Sequence, residues 1–236
     1  LLGWLRGLGV TTLHAGPSPG QPVSGRTFIA ENRVASVDEI ALKDDAFVVF
    51  SLGEQPKNRF GSQGSASRMG NAATIRQALE DARDYATRRA LPPADRASRD
   101  LGQDALVELL AGKRRALFHA HRADDIQTAL RIAEEYGLDL VLAGAAEGWM
   151  VAEDVAAAGV PVLIGPVMAR SWRDGEQRNS SFEAAAVLAD AGVTVGFMSG
   201  YEGYVPKVRV VLFEAAIAAA NGLGFSRTLR SLTLDA

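Results

Sequence analysis

The sequence contains no cysteine and only three histidines in 236 residues. The lack of cysteine excludes disulfide bonds, thiolate zinc sites and cysteine nucleophiles. Neither sign of charge dominates, because 25 Lys and Arg residues are interspersed with 28 Asp and Glu residues. No basic patch indicates binding to nucleic acid or to an anionic membrane surface. The longest apolar run, 210–220, is interrupted by Glu214 and is too short to cross a bilayer.

We therefore expect neither a nucleic-acid partner nor a membrane partner. Residue 1 is Leu and no signal peptide is visible, so we interpret the sequence as part of a longer chain. The composition is equally compatible with a cytoplasmic, a periplasmic and a secreted protein, and it identifies no compartment.

The composition indicates a globular chain, with 47% hydrophobic and 22% charged residues, which is enough for one large core. From residue 115 onward, apolar strand-like runs alternate with amphipathic helices. The predicted strands are 115–119, 139–143, 161–164 and 194–198, and the predicted helices are 124–136, 150–158, 183–191 and 211–221. This alternation predicts a parallel sheet, either open or closed into a barrel. Gly137, Gly159 and Gly192 each follow a helix, where a left-handed residue commonly ends it.

The first half of the chain is less regular. We predict strands over 8–15, 27–31 and 46–52, and helices over 71–89 and 103–110. The strand 46–52 is apolar nearly throughout, which is typical of the middle of a parallel sheet. The polar, Gly- and Ser-rich stretch 53–70 is interpreted as a long functional loop.

Two features favour a barrel over an open sheet. No Gly-x-Gly-x-x-Gly follows any predicted strand, so the usual dinucleotide signal is missing. In addition, polar side chains follow nearly every predicted strand: His14, Lys57, His119, His121, Glu147, Arg170, Glu176, Ser199 and Tyr201. Loops that converge at one rim are how a (β/α)8 barrel builds its site. We therefore predict one TIM-like barrel domain over residues 1–236.

The pair His119 and His121 is the sharpest chemical feature. Side chains two residues apart on a strand point to the same face. Two such imidazoles could hold a divalent ion, or one could bind while the other stabilises charge. The alternative is that both are polar rim residues. Asp124 and Asp125, which follow, are interpreted as the N-cap and first-turn acid of a helix.

The remaining candidates are weaker. Glu147 and Glu176 could line the rim. Lys57, Arg122 and Arg178 could together bind an anionic small molecule, although solvated loop residues are the simpler interpretation of each. No Gly-x-Ser-x-Gly elbow occurs, so no serine-hydrolase triad is predicted.

Several motifs, in order along the chain, carry a family resemblance. They are Gly9-Val10-Thr11-Thr12-Leu13-His14, Gly53-Glu54-Gln55-Pro56-Lys57, Arg68-Met69-Gly70-Asn71-Ala72-Ala73, His119-Ala120-His121-Arg122-Ala123-Asp124-Asp125-Ile126, Glu147-Gly148, Gly159-Val160-Pro161-Val162, Gly165-Pro166 and Ala191-Gly192-Val193. Together they resemble the amidohydrolase superfamily, and specifically the imidazolonepropionase-like amidohydrolases.

The resemblance implies a (β/α)8 barrel flanked by a small β-sandwich and metal-assisted hydrolysis of amide or cyclic-amide bonds. It also implies metal ligands that this chain mostly lacks. The fifth-strand histidine is present as His119, whereas the fourth-strand lysine corresponds to Val49, the sixth-strand histidine to Gly144 and the eighth-strand aspartate to Gly200. The first strand, with its His-x-His, and the sandwich have no counterpart in these residues.

We therefore expect a pseudoenzyme: an amidohydrolase homologue that retains the fold, has lost the binuclear zinc site and acts as a binding or partner subunit. Either no cofactor or one weakly held divalent metal is expected. A small molecule in the barrel mouth, and a homo-oligomer or a hetero-oligomer with an active paralogue, are the partners expected. The alternative is an active metal-dependent hydrolase with a site rewired around His119 and His121, using His14, Glu147 or Glu176.

Overall fold

The computed structural model describes residues 2–60, 67–168, 175–199 and 207–236, with side chains omitted at 58–60 and 207. The predicted rim residues Arg170 and Tyr201, and the ligand position Gly200, lie outside the described residues. The chain divides into two compact units. Unit 1 comprises Leu1–Val10, Phe118–Arg131 and Leu140–Ala236, and unit 2 comprises Thr11–Leu117 and Ile132–Asp139.

Strands and helices alternate from residue 115 to residue 218, whereas the first half of the chain has consecutive strands and consecutive helices. The strands are β1 (Thr12–Ala15), β2 (Val23–Arg26), β3 (Phe28–Glu31), β4 (Ala41–Lys43), β5 (Phe47–Ser51), β6 (Arg115–Ala120), β7 (Leu140–Gly144), β8 (Val162–Ile164) and β9 (Val195–Phe197). The helices are α1 (Leu2–Gly7), α2 (Val37–Ile40), α3 (Glu54–Phe60), α4 (Arg68–Arg89), α5 (Leu101–Leu110), α6 (Ala123–Tyr136), α7 (Ala152–Ala157), α8 (Ala184–Asp190), α9 (Val211–Ala218) and α10 (Phe225–Ser231). Short 3-10 turns at Gly148–Val151 and Lys207–Val210 precede α7 and α9.

Unit 1 contains the parallel strands. The last residues of β6 lie beside β7, which pairs in parallel with β8 through Leu142↔Val162 and Gly144↔Ile164. Strand β8 in turn pairs in parallel with β9. Phe118 on β6 and Leu142 on β7 are fully buried, as is Leu188 on α8, so apolar side chains from strands and helices form this core. The predicted mixed α/β fold with a parallel sheet is confirmed here.

Unit 2 is antiparallel where its strand pairing is defined. Strands β1, β3 and β4 form a three-stranded sheet in that order, with both neighbouring pairs antiparallel. Strand β5 pairs antiparallel with β2, with Val49 opposite Gly25. Strand β5 is an inner strand, as the prediction for 46–52 had it, but its neighbour β2 is antiparallel, because an apolar pattern shows burial on both faces and not the direction of a neighbour.

The buried face of one helix and the ends of three others agree with the sequence predictions. In unit 2, α4 buries Ile75, Leu79 and Ala82 on one face, as the sequence predicted. Gly137, Gly159 and Gly192 follow α6, α7 and α8 with positive φ values of 65°, 66° and 91°, which confirms their predicted role.

Other boundaries differ from the predictions. The predicted loop 53–70 is helical over Glu54–Phe60, and α4 begins three residues earlier than predicted, at Arg68. The predicted strand 8–15 is a strand only over Thr12–Ala15, because Leu2–Gly7 is helical and ends at a turn.

Among the residues that the structure describes, no helix combines the length and apolarity needed to cross a membrane.

Candidate functional site at the ends of β6 and β7

His119 and His121 lie at the end of β6 in unit 1. His119 is on the strand itself and is buried, whereas His121 follows the last strand residue and is half-buried. The chain then enters α6 at Ala123, so His121 lies in the turn between strand and helix, two residues after His119. This is the position at which parallel α/β proteins place reactive side chains. The structure therefore confirms the strand-end location that the sequence predicted for both histidines.

The imidazole ring of His121 lies directly against Gly144, the last residue of β7. A Cβ atom built on Gly144 would lie 2.7 Å from Cε1, 3.0 Å from Nδ1 and 3.2 Å from Nε2 of His121. Gly144 also has a φ of +94°, which L-residues with a side chain rarely adopt. The place that a side chain at residue 144 would need is therefore filled by the His121 ring.

Glu147 holds the backbone around His121. Its amide N–H donates to the carbonyl oxygen of His121 at 2.8 Å. Its carboxylate atom Oε2 accepts from the amide of Ala123, the first residue of α6, at 2.9 Å. Glu147 is buried, and a buried carboxylate needs such donors because it has lost its water.

A second segment, residues 177–179, reaches the same place. The side-chain amide of Asn179 donates to Oε1 of Glu147 at 2.9 Å, and the indole N–H of Trp149 donates to the carbonyl oxygen of Asn179 at 3.0 Å. Nε2 of Gln177 lies 3.4 Å from Nε2 of His121. Sequence reasoning missed Gln177 and Asn179, because they sit in a charge-rich loop with no periodic signal.

The other predicted rim residues of unit 1 are placed as follows. Arg122 pairs with Asp124, at 3.2 Å between Nε and Oδ1, and this bond raises the pKa of Arg122. Glu176 is buried, whereas Arg178 is exposed and its amide donates to the carbonyl of Gly175 at 3.2 Å. Ser199 is half-buried, two residues after the end of β9.

His14 and Lys57 belong to unit 2. Nε2 of His14 lies 2.7 Å from Oγ1 of Thr27, and its ring contacts Phe47 with a centroid distance of 5.1 Å. Loss of hydration there lowers the pKa of His14. Lys57 lies on α3 and donates to Glu54 at 2.8 Å, so it is a helix residue with an ion-pair partner and not the loop lysine predicted.

The metal-ligand positions that the family resemblance indicated do not fit a metal. Val49 is fully buried on β5, and Gly144 has no side chain. A catalytic zinc normally needs three protein ligands. Within the described ranges, no three His, Cys, Asp or Glu side chains are grouped so that they could hold a metal ion. The donor set of the described residues therefore does not match the hydrolytic metal centre.

The fold is a mixed α/β fold with a parallel sheet, and the cluster around His121 lies at the carboxyl ends of β6 and β7. The chain is similar to a solved structure described as an amidohydrolase from Thermotoga maritima MSB8, with a TM-score of 0.90 and 30% sequence identity. The similarity covers 97% of this chain and 60% of that chain, so this chain spans 60% of the length of the protein it matches. No protein-family model and no curated protein matches the chain.

Proposed function

We propose that this protein is a (β/α)8-barrel amidohydrolase homologue of the imidazolonepropionase-like type that no longer performs metal-assisted hydrolysis. It binds a small molecule at the ends of β6 and β7, beside His119 and His121. The similarity to the Thermotoga maritima amidohydrolase supports the lineage. The single observation that supports the loss of hydrolysis is the His121 ring against Gly144.

The space that a ligand at residue 144 would need is already occupied. A histidine at residue 144 would need a Cβ where the His121 ring now lies, and a backbone with φ of +94°. A ligand at residue 144 would therefore require the His121 ring to move and the backbone to keep a strained φ. The surroundings of His121 are held by hydrogen bonds that the Glu147 carboxylate accepts from Ala123 and Asn179, and by the contact between Gln177 and the His121 ring.

A second candidate is a working hydrolase with a rewired site. The observation that favours it is the burial of His119, Glu147 and Glu176 in the same unit, because buried acids and imidazoles are typical of catalytic sites. In this alternative one imidazole takes a proton from a water molecule that attacks the amide carbonyl, and the imidazolium formed returns that proton to the leaving amine as the C–N bond breaks.

Two assays on the full-length protein separate these functions. The first measures hydrolysis of N-acyl amino acids and cyclic imides, with and without added zinc. We expect the rate of the unmodified protein to equal that of the variant His119→Ala/His121→Ala. Turnover that the double variant abolishes would establish the rewired hydrolase and end the proposed loss of activity.

The second assay tests binding. A thermal-shift screen against small carboxylates, amides and phosphates measures whether any of them raises the unfolding temperature, since a ligand that binds only the folded state stabilises it. We expect His121→Ala to remove the shift of any active compound. Gln127→Ala, an exposed position on α6, is the control and keeps the shift. A shift that persists in His121→Ala, or no shift with any compound, contradicts binding at this site.

A further inference from the structure

Glu147 is bonded through three different atoms to three different parts of unit 1. Its N–H donates to His121, its Oε2 accepts from Ala123 and its Oε1 accepts from Asn179. Each carboxylate oxygen therefore has a donor, and the backbone amide has an acceptor. A buried carboxylate with this set of partners fixes the relative positions of the groups that it binds.

The first two bonds hold the backbone directly after the Cα atom of His121. One ends on the carbonyl of His121 and the other on the amide of Ala123, two residues further on. The backbone that follows the imidazole-bearing Cα is thus held at two points by the same residue. A neighbouring backbone bond, from the amide of Ala145 to the carbonyl of Ala120 at 2.8 Å, holds the preceding residue.

The third bond, between Asn179 and Oε1 of Glu147, involves the loop that contacts the His121 ring. Asn179 is two residues from Gln177, whose side-chain amide meets Nε2 of His121. The indole of Trp149, itself two residues from Glu147, holds the carbonyl of Asn179. The Glu147 carboxylate therefore links the amide of Ala123, two residues after His121, to the loop that contacts the His121 ring.

From this geometry we infer that Glu147 is the positioning residue of the site: it sets the orientation of the His121 imidazole through Asn179 and Gln177. This inference rests on the proposed function, in which His121 faces the small molecule. It goes further by naming the group that controls the imidazole without contacting the ligand. If Glu147 only capped the first amide of α6, Oε2 alone would suffice. Changes at Asn179 would then leave the His121 ring unaffected.

The experiment exchanges the polarity of the Glu147–Asn179 pair. Asn179→Asp places a second carboxylate opposite that of Glu147 and removes the hydrogen bond between residues 179 and 147. Adding Glu147→Gln restores it, because the introduced amide donates to the new carboxylate while its carbonyl oxygen still accepts from Ala123. The double variant has the same net charge as the unmodified protein.

The measurement is the NMR signal of the imidazole ring in the full-length protein without ligand. The 236 residues contain three histidines, and the signal of each is assigned by a single substitution. We expect Asn179→Asp to shift the ring signals of His121, and we expect the double variant to return them to their original positions. Gln127→Glu is the matched control, because it also places an acid against a carboxylate, that of Asp154, on the same unit.

Two outcomes would overturn the inference. One is a His121 signal that Asn179→Asp leaves in place, and the other is a shift that the double variant does not reverse. Should Asn179→Asp fail to fold, Asn179→Ala removes the bond without adding charge, and an unshifted His121 signal in that variant overturns the inference equally. Because no ligand is present, a failed binding screen with a reversible His121 shift would reject the proposed function and leave the positioning role intact.

Discussion

The imidazole of His121 takes the place of a side chain at Gly144: a Cβ on Gly144 would stand 2.7 Å from its Cε1 atom. Real Cβ atoms do not approach other atoms so closely, so one of the two groups has to move if residue 144 gains a side chain. The two residues are 23 positions apart in the sequence, at the ends of strands β6 and β7.

Gly144→Ala is expected to destabilise the protein strongly, because it combines an unfavourable φ with a steric clash. The backbone strain alone costs about 1–2 kcal/mol, and overpacking adds about 1–3 kcal/mol. Gly192→Ala is the control, since Gly192 has a φ of +91° but no atom within 4 Å of its would-be Cβ. Urea unfolding should show a lower midpoint for Gly144→Ala than for Gly192→Ala.

Shortening the side chain of His121 removes the steric clash at residue 144, but it does not remove the backbone strain of the positive φ there. We expect His121→Ala/Gly144→Ala to lose less stability than the sum of the two single variants, because the shortened side chain at 121 makes room for the new methyl group. Strict additivity of the unfolding free energies would show that the ring does not lie against Gly144.

The alternation from β6 to β9 could be predicted from the sequence for a physical reason. Each strand there is a short apolar run, each helix repeats apolar residues on one face, and Gly137, Gly159 and Gly192 mark the helix ends. Strand β2 could not be predicted in the same way, because Ser24, Gly25 and Arg26 make up most of it.

The candidate site also has features that could be predicted from the sequence and features that could not. His119 and His121 could be located from the sequence because they follow an apolar run and precede an amphipathic helix. The contact between His121 and Gly144 could not, since no local pattern shows which ring covers a glycine on the next strand. Asn179 was missed for a similar reason, because its partner Glu147 is 32 residues away.

The ionisation of Tyr136 makes the free energy of unfolding depend on pH in the alkaline range. Burial and then a hydrogen bond with Glu80 raise its pKa from 10.0 to about 12. A raised pKa in the folded state means that the folded protein keeps a proton that the unfolded chain releases first. The stabilising contribution is therefore complete below pH 10 and is lost as the pH rises towards 12.

The check is the free energy of unfolding measured across this range for the unmodified protein and for Tyr136→Phe. We expect the unmodified protein to lose stability more steeply between pH 10 and pH 12 than the variant. Parallel curves would contradict a raised pKa at Tyr136, because the phenylalanine variant has no proton to release at that position.

Arg114→Lys is expected to destabilise unit 2 by about 1–2 kcal/mol, because one ammonium cannot replace a planar guanidinium with several partners. Arg114 donates to Oδ2 of Asp45 at 2.9 Å and to Oε2 of Glu108 at 2.6 Å, with a side chain only 12% exposed.

The neighbouring Arg115 is the control for that substitution. It also binds a carboxylate through two nitrogens, at 2.8 and 2.9 Å from Asp139, but its side chain is 38% exposed. Water screens exposed pairs, so Arg115→Lys should cost less than about 1 kcal/mol. Chemical unfolding compares the two variants, and an equal cost for both would show that the burial of Arg114 does not matter.

The metal content of the full-length protein tests the central claim most directly. The protein is purified, dialysed against buffer containing zinc and then against metal-free buffer, and its metal is measured by elemental analysis. Because His121 fills the place beside Gly144 and the described residues offer no group of three ligands, we predict much less than one zinc ion per chain. Stoichiometric zinc that His119→Ala releases would contradict the account.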